Sequence, residues 1–88
     1  MKDRQVINEE LFDLVKKLAK IDEDLYESTR FKELMFESLL YIAFLVEVEE
    51  MFDITVNDSL LELKDDRSIG DITDEILEKI EYHRLGED

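Results

Sequence analysis

Tyr41, Phe44, Leu45, Val48 and Phe52 fall at offsets 0, 3, 4, 7 and 11, which gathers five large apolar side chains on one face of a helix with 3.6 residues per turn. A strand, with its period of two, would scatter them over both faces. The spacing therefore predicts a helix from Ser38 to about Met51 with a core behind it. Leu39, Leu40, Ile42, Ala43 and Val46 lie off that stripe. The first half of the helix thus carries a second apolar side that a core does not obviously require.

The rest of the chain repeats the helical period. Ile7, Leu11, Leu14, Val15 and Leu18 at offsets 0, 4, 7, 8 and 11 predict a first helix from about Arg4 to about Lys20. From Ile21 to Phe36 the period dissolves, and Leu25, Phe31 and Leu34 read as isolated apolar anchors that pin a long loop to the core. Ser59-Leu60-Leu61-Glu62 matches the capping box, in which serine and glutamate satisfy each other's backbone amides, so a short third helix is expected there. Ser68-Ile69-Gly70-Asp71 offers a second cap, followed by Ile69, Ile72, Ile76 and Ile80 at offsets 0, 3, 7 and 11. That last helix is expected to end near Arg84, with Gly86 as its stop. No proline and only two glycines interrupt the chain. The expected fold is all-α: a small four-helix bundle of three longer helices and one short one, in a single domain over residues 1–88.

Charge narrows the partners. With 25 acidic and 11 basic residues the net charge is −14, which repels nucleic acid phosphates and anionic membranes but attracts proteins with Lys and Arg patches. Lowering the pH is expected to tighten the bundle by reducing this self-repulsion, unless individual acids make native contacts. The absence of cysteine leaves no disulfide framework and no thiol nucleophile. The opening MKDRQVINEE lacks an apolar signal region, and the longest uncharged stretch, Ser38 to Val46, is far below the ~20 residues of a membrane span. The expectation is a soluble, cytoplasmic chain.

Little in the sequence suggests catalysis. Asp22-Glu23-Asp24 begins like a calcium loop but lacks the glycine and the spaced terminal glutamate. His83 has no nucleophile pattern near it, and Ser28, Ser59 and Ser68 read as loop or cap residues. Ser38 differs. Read structurally it is an N-cap, its oxygen accepting an amide hydrogen. Functionally, the first turn of a helix offers unpaired amides and about half a positive charge, a suitable place for a phosphate-linked group.

Three blocks resemble the acyl carrier proteins and related phosphopantetheine-binding carriers. The attachment motif, L-G-x-D-S-L with an apolar residue three positions ahead, is similar to Phe31-Lys32-Glu33-Leu34-Met35-Phe36-Glu37-Ser38-Leu39, with Met35 in place of the glycine and Glu37 in place of the aspartate. The helix ending E-E-x-F-[DG]-I/T-x-I/V is matched by Glu49-Glu50-Met51-Phe52-Asp53-Ile54-Thr55-Val56, and T-V-x-D-[IL]-x-x-x-I by Ser68 to Ile76. The family often has a polar residue where Leu40 stands and an acid where Ala43 stands.

The resemblance implies that Ser38 accepts 4'-phosphopantetheine from coenzyme A through a separate phosphopantetheinyl transferase, and that the chain is not itself an enzyme. It implies an acyl carrier for fatty acid, polyketide or related specialised biosynthesis. An aminoacyl or D-alanyl carrier, or an unmodified adaptor of the same fold, are the alternatives. Leu39, Ile42 and Val46 would face visiting acyl-transferring or acyl-activating enzymes, with Glu37, Glu47, Glu49 and Glu50 steering toward their basic rims. No nucleic acid or membrane partner is expected. The chain is expected to be a monomer, with self-association through the second helix as an option.

Overall fold

The computed structural model describes residues 3–34, 36–56 and 67–86. Among the described residues three α-helices make up the bundle: α1 (Arg4–Ala19), α2 (Ser38–Phe52) and α3 (Ile69–Gly86). A 3-10 helix, Phe31–Leu34, interrupts the long connection between α1 and α2. Among the described residues there is no strand, only an isolated bridge between Arg30 and Ser68. The all-α expectation holds, while the short helix expected at Ser59 lies outside the described residues.

Each helix has a local reason for its limits. Asp3 caps α1, its carboxylate accepting the Val6 amide at 3.0 Å. Lys20 then closes α1 in the left-handed conformation, and Asp53 does the same for α2. Both positions usually favour glycine, so the closing amide bonds, Lys20 N to Lys16 O and Asp53 N to Glu49 O, hold side-chain-bearing residues in an uncommon backbone region. At α3 the expected box forms in both directions: Asp71 accepts the Ser68 amide at 2.9 Å, and the Ser68 hydroxyl accepts the Asp71 amide at 3.3 Å.

The inward stripes are the periodic ones. Ile7, Leu11, Leu14 and Val15 of α1 are buried against the full Tyr41, Phe44, Leu45, Val48 and Phe52 stripe of α2, and Ile69, Ile72 and Ile76 of α3 complete the core. α1 lies against both other helices. Leu25, Phe31 and Phe36 are buried and Leu34 half-buried, so the connection is anchored by separated side chains, as its irregular spacing suggested.

Backbone bonds fasten the same connection to the start of α3. Gly70 N donates to Glu27 O at 2.9 Å, Ile69 N to Thr29 O at 2.9 Å, and Phe31 N to Arg67 O at 3.0 Å. Side chains add a clasp on the outside. Arg4 of α1 grips the Glu27 carboxylate through Nε and Nη2 and reaches Asp74 of α3 at 2.6 Å through Nη1. Inside, the buried Thr73 hydroxyl donates to Asn8 Oδ1 at 2.6 Å, and Asn8 Nδ2 donates to Glu27 at 2.7 Å. Paired buried polar groups of this kind fix one arrangement of three segments, because breaking any link leaves a polar atom without its partner.

Candidate functional site

Ser38 is the first helical residue of α2, and the cap position belongs to Glu37, whose backbone is extended (φ −80°, ψ 161°). The Glu37 carbonyl accepts the Tyr41 amide at 2.9 Å, closing the first turn, while its carboxylate makes no capping bond. This corrects the reading of Ser38 as N-cap. One position inside the helix, its hydroxyl is not placed to fold back on the first-turn amides. Ser38 is exposed, and no hydrogen bond holds its hydroxyl to a described residue.

The surroundings combine a rigid floor with an open flank. Phe36 is buried just ahead of the helix, and Phe31, Tyr41 and Phe44 are fully buried beneath its first two turns. Phe31 touches the other three rings at centroid separations of 5.3 Å (Phe36), 5.2 Å (Tyr41) and 5.3 Å (Phe44), tilted or edge-on as ring quadrupoles favour. Tyr41 keeps its polar end satisfied by accepting a hydrogen bond from Arg67 Nη1 at 2.8 Å. Burial pushes its phenol above the ordinary value, and the Arg67 bond pulls the other way. The start of α2 is therefore held from below, so Ser38 is presented by a fixed element.

The second apolar side faces solvent. Leu39 is 81% exposed, Ile42 40% and Val46 45%, and Ala43 is exposed beside them. Leu40 is half-buried against the core. These positions form a ridge running from Ser38 down the outer face of α2. The acids around it divide. Glu37 and Glu50 are exposed, whereas Glu47 is half-buried in an open cleft that it and Met51 share with Glu10, Asp13, Leu14 and Lys17 of α1. Glu49 is also half-buried, and its carboxylate accepts the Val56 amide at 3.0 Å. Glu49, expected from the sequence to steer partners, thus has a structural task, fastening the exit of α2.

Met35 and the side chain of His83 lie outside the described residues. Asp22, Glu23 and Asp24 are exposed, and no group of three or more His, Cys, Asp or Glu able to hold a metal occurs among the described residues. No described helix is long and apolar enough to cross a membrane.

The model of the phosphopantetheine attachment site family matches residues 9–76, well over half of the chain. The chain belongs to that family. Neither a curated protein nor a solved structure matches it. Its cofactor is covalently attached 4'-phosphopantetheine, and members of the family act in general as carriers rather than catalysts. The chemistry of the carrier at α2 fits that group. The attachment bond is a phosphodiester, which requires an accessible hydroxyl, and its charge is favoured by the unpaired first-turn amides and the positive end of the helix. The neighbouring Glu37 is repulsive but exposed, so solvent and salt weaken its effect.

Two features of the carrier site escaped the sequence. The Arg67 bond to Tyr41 joins residues 26 positions apart and obeys no period. The second role of Glu49 was masked because its carboxylate reads as one more charge in an acidic run.

Proposed function

We propose that Ser38 is the residue to which 4'-phosphopantetheine is attached, and that the chain is a single-domain acyl carrier serving fatty acid, polyketide or related specialised biosynthesis in the cytoplasm, without catalytic activity of its own. The observation that carries this reading is the exposed hydroxyl of Ser38 at the first position of α2, uncommitted to capping, beside a solvent-facing apolar ridge. When bound, the group supplies a terminal thiol that holds an acyl chain as a thioester.

The chain's own residues supply presentation and recognition. The aromatic cluster fixes the angle of α2, so that the Ser38 oxygen meets a transferase in one orientation. Leu39, Ile42 and Val46 offer the apolar centre of an interface, and Glu37, Glu47, Glu49 and Glu50 favour partners with basic rims. α2 contains no Lys or Arg, so two copies meeting ridge to ridge would bring only like charges together. This favours a monomer that docks on basic enzymes over self-association.

The test is intact-mass analysis after incubation with coenzyme A and a permissive phosphopantetheinyl transferase. Wild-type protein is expected to gain one phosphopantetheine and the Ser38→Ala variant none. Repeated failure of the wild type to gain mass would favour the unmodified adaptor, which would use the same ridge for binding alone. An aminoacyl carrier would share the mass gain and then be charged by an amino-acid-activating enzyme.

A further inference from the structure

The six residues lining the cleft between α1 and α2 fall into two rows. Glu10, Asp13, Leu14 and Lys17 stand at offsets 0, 3, 4 and 7 of α1, and Glu47 and Met51 at offsets 0 and 4 of α2, so each helix gives the cleft one continuous face. The cleft holds about 380 Å³. Seams between packed helices are ordinarily closed by interdigitating side chains. Here Leu14, a buried core residue, and Met51, 39% exposed, are the apolar part of the lining, and the two rows set three carboxylates against one ammonium, 1 − 3 = −2. Like charges gathered at one seam repel, and a cation placed among them removes the repulsion. The carboxylates do not converge on a single ion, since no group of three or more His, Cys, Asp or Glu able to hold a metal occurs among the described residues. The lining therefore suits an extended cation with an apolar stem.

The cleft also adjoins the apolar ridge. Ala43, Glu47 and Met51 succeed one another at four-residue steps along α2, and Ala43 lies beside Leu39, Ile42 and Val46. We infer that the docking surface of this carrier crosses from α2 onto α1, and that the cleft receives an arginine side chain of the partner enzyme, its stem against Leu14 and Met51 and its guanidinium among Glu10, Asp13 and Glu47. Arginine and lysine both lay an apolar stem along apolar surface, but the planar guanidinium donates to several carboxylates at once and is the more weakly hydrated of the two. The inference rests on α2 as the docking face and adds a contact that α2 alone cannot make.

The probe is a capped, alanine-based helical peptide carrying a leucine for the ridge and, one turn on, an arginine for the cleft; a twin peptide replaces the arginine by citrulline, which keeps the shape and loses the charge. Both are titrated into the full chain, and the NMR methyl signals of Leu14 and Met51 are followed beside those of Leu39, Ile42 and Val46. The arginine peptide is expected to move both sets along one saturating curve, and the citrulline twin to bind about tenfold more weakly. Asp13→Asn and Glu47→Gln should each weaken the arginine peptide about threefold, whereas Glu9→Gln, the same charge change on α1 outside the cleft, should leave it unchanged. Shifts confined to the ridge overturn the inference and leave α2 as the docking face. Equal losses for Asp13→Asn and Glu9→Gln overturn it as general attraction to an acidic chain, and concentration-dependent shifts of Leu14 and Met51 without peptide overturn it in favour of a second copy in the cleft. If Glu47→Gln does not fold, Asp13→Asn at its exposed position still decides. Mass gain at Ser38 is measured without the peptide, so failure here is distinct from failure of the carrier reading.

Discussion

Arg67 Nη1 donates to the phenol oxygen of Tyr41 at 2.8 Å, joining the approach to α3 to the first turn of α2, one turn from Ser38. The bond matters beyond its own energy because Tyr41 also belongs to the aromatic floor that sets the angle of the helix. Tyr41→Phe keeps the ring and removes the acceptor. It should cost about 1.5 to 3 kcal/mol in urea denaturation at neutral pH, the range for a hydrogen bond with a charged partner. Because burial, the larger influence, raises the Tyr41 pKa, the unfolded chain releases this proton first as the pH climbs. Its contribution is complete below pH ~10 and declines above it, so the alkaline loss of stability should be smaller in Tyr41→Phe than in the wild type.

Glu27 gives the opposite pH dependence. The hydrogen bond from Arg4, and secondarily that from Asn8, holds its carboxyl below the ordinary carboxylate value. The stability it contributes is present above the unfolded value of 4.5 and disappears as the pH falls through the lower folded value. Glu27→Gln should therefore melt below the wild type at pH 7, and the gap should close in strong acid. This local loss opposes the general relief of self-repulsion, so acidification does not simply tighten the bundle as net charge alone would predict.

Gly70 lies where a Cβ would approach the Glu27 Cβ and carbonyl oxygen at 3.1 Å each, and that oxygen already accepts the Gly70 amide. Alanine ordinarily stabilises a helix relative to glycine by roughly 0.5–1 kcal/mol. Here the Arg4 and Asn8 bonds hold Glu27 and leave it little freedom to move away. Gly70→Ala should instead destabilise by about 1 kcal/mol, a sign that chemical denaturation can read directly.

Glu50 gives the cleanest test of the proposed steering, being exposed and without a structural bond to a described residue. Glu50→Lys should slow loading about threefold at low ionic strength with an unchanged circular dichroism spectrum, the size expected of one exposed charge, and the difference should shrink as salt is added. Glu49→Lys should slow loading as well, but it should also lower the melting temperature, because the Val56 amide loses its acceptor. Equal melting temperatures for the two variants would contradict the assignment of separate roles.

The helices were legible in the sequence because burial repeats at the helical period. The Tyr41 to Phe52 stripe, the Ile7 to Val15 face and the Ser68–Asp71 box each follow from spacing within a few residues, and each is found where it was expected. The apolar surplus at Leu39, Ile42 and Val46 was readable for the same reason, since residues off a complete stripe must face something else. What the sequence hid depends on pairs far apart in the chain. Arg4 with Glu27 and Arg67 with Tyr41 are separated by 23 and 26 positions, and only the folded loop brings them together. The offset of Ser38 from cap to first helical position was also hidden. By type serine is the better cap, so the residue types alone point to Ser38, whereas the extended backbone that marks the cap belongs to Glu37.

The claim on which the rest depends is that one hydroxyl of four serines, Ser38, carries the prosthetic group. Fragmentation mass spectrometry of the transferase-loaded protein tests it most directly. The account predicts the phosphopantetheine on the peptide containing Ser38, with Ser28, Ser59 and Ser68 unmodified; localisation to any of those three would contradict it.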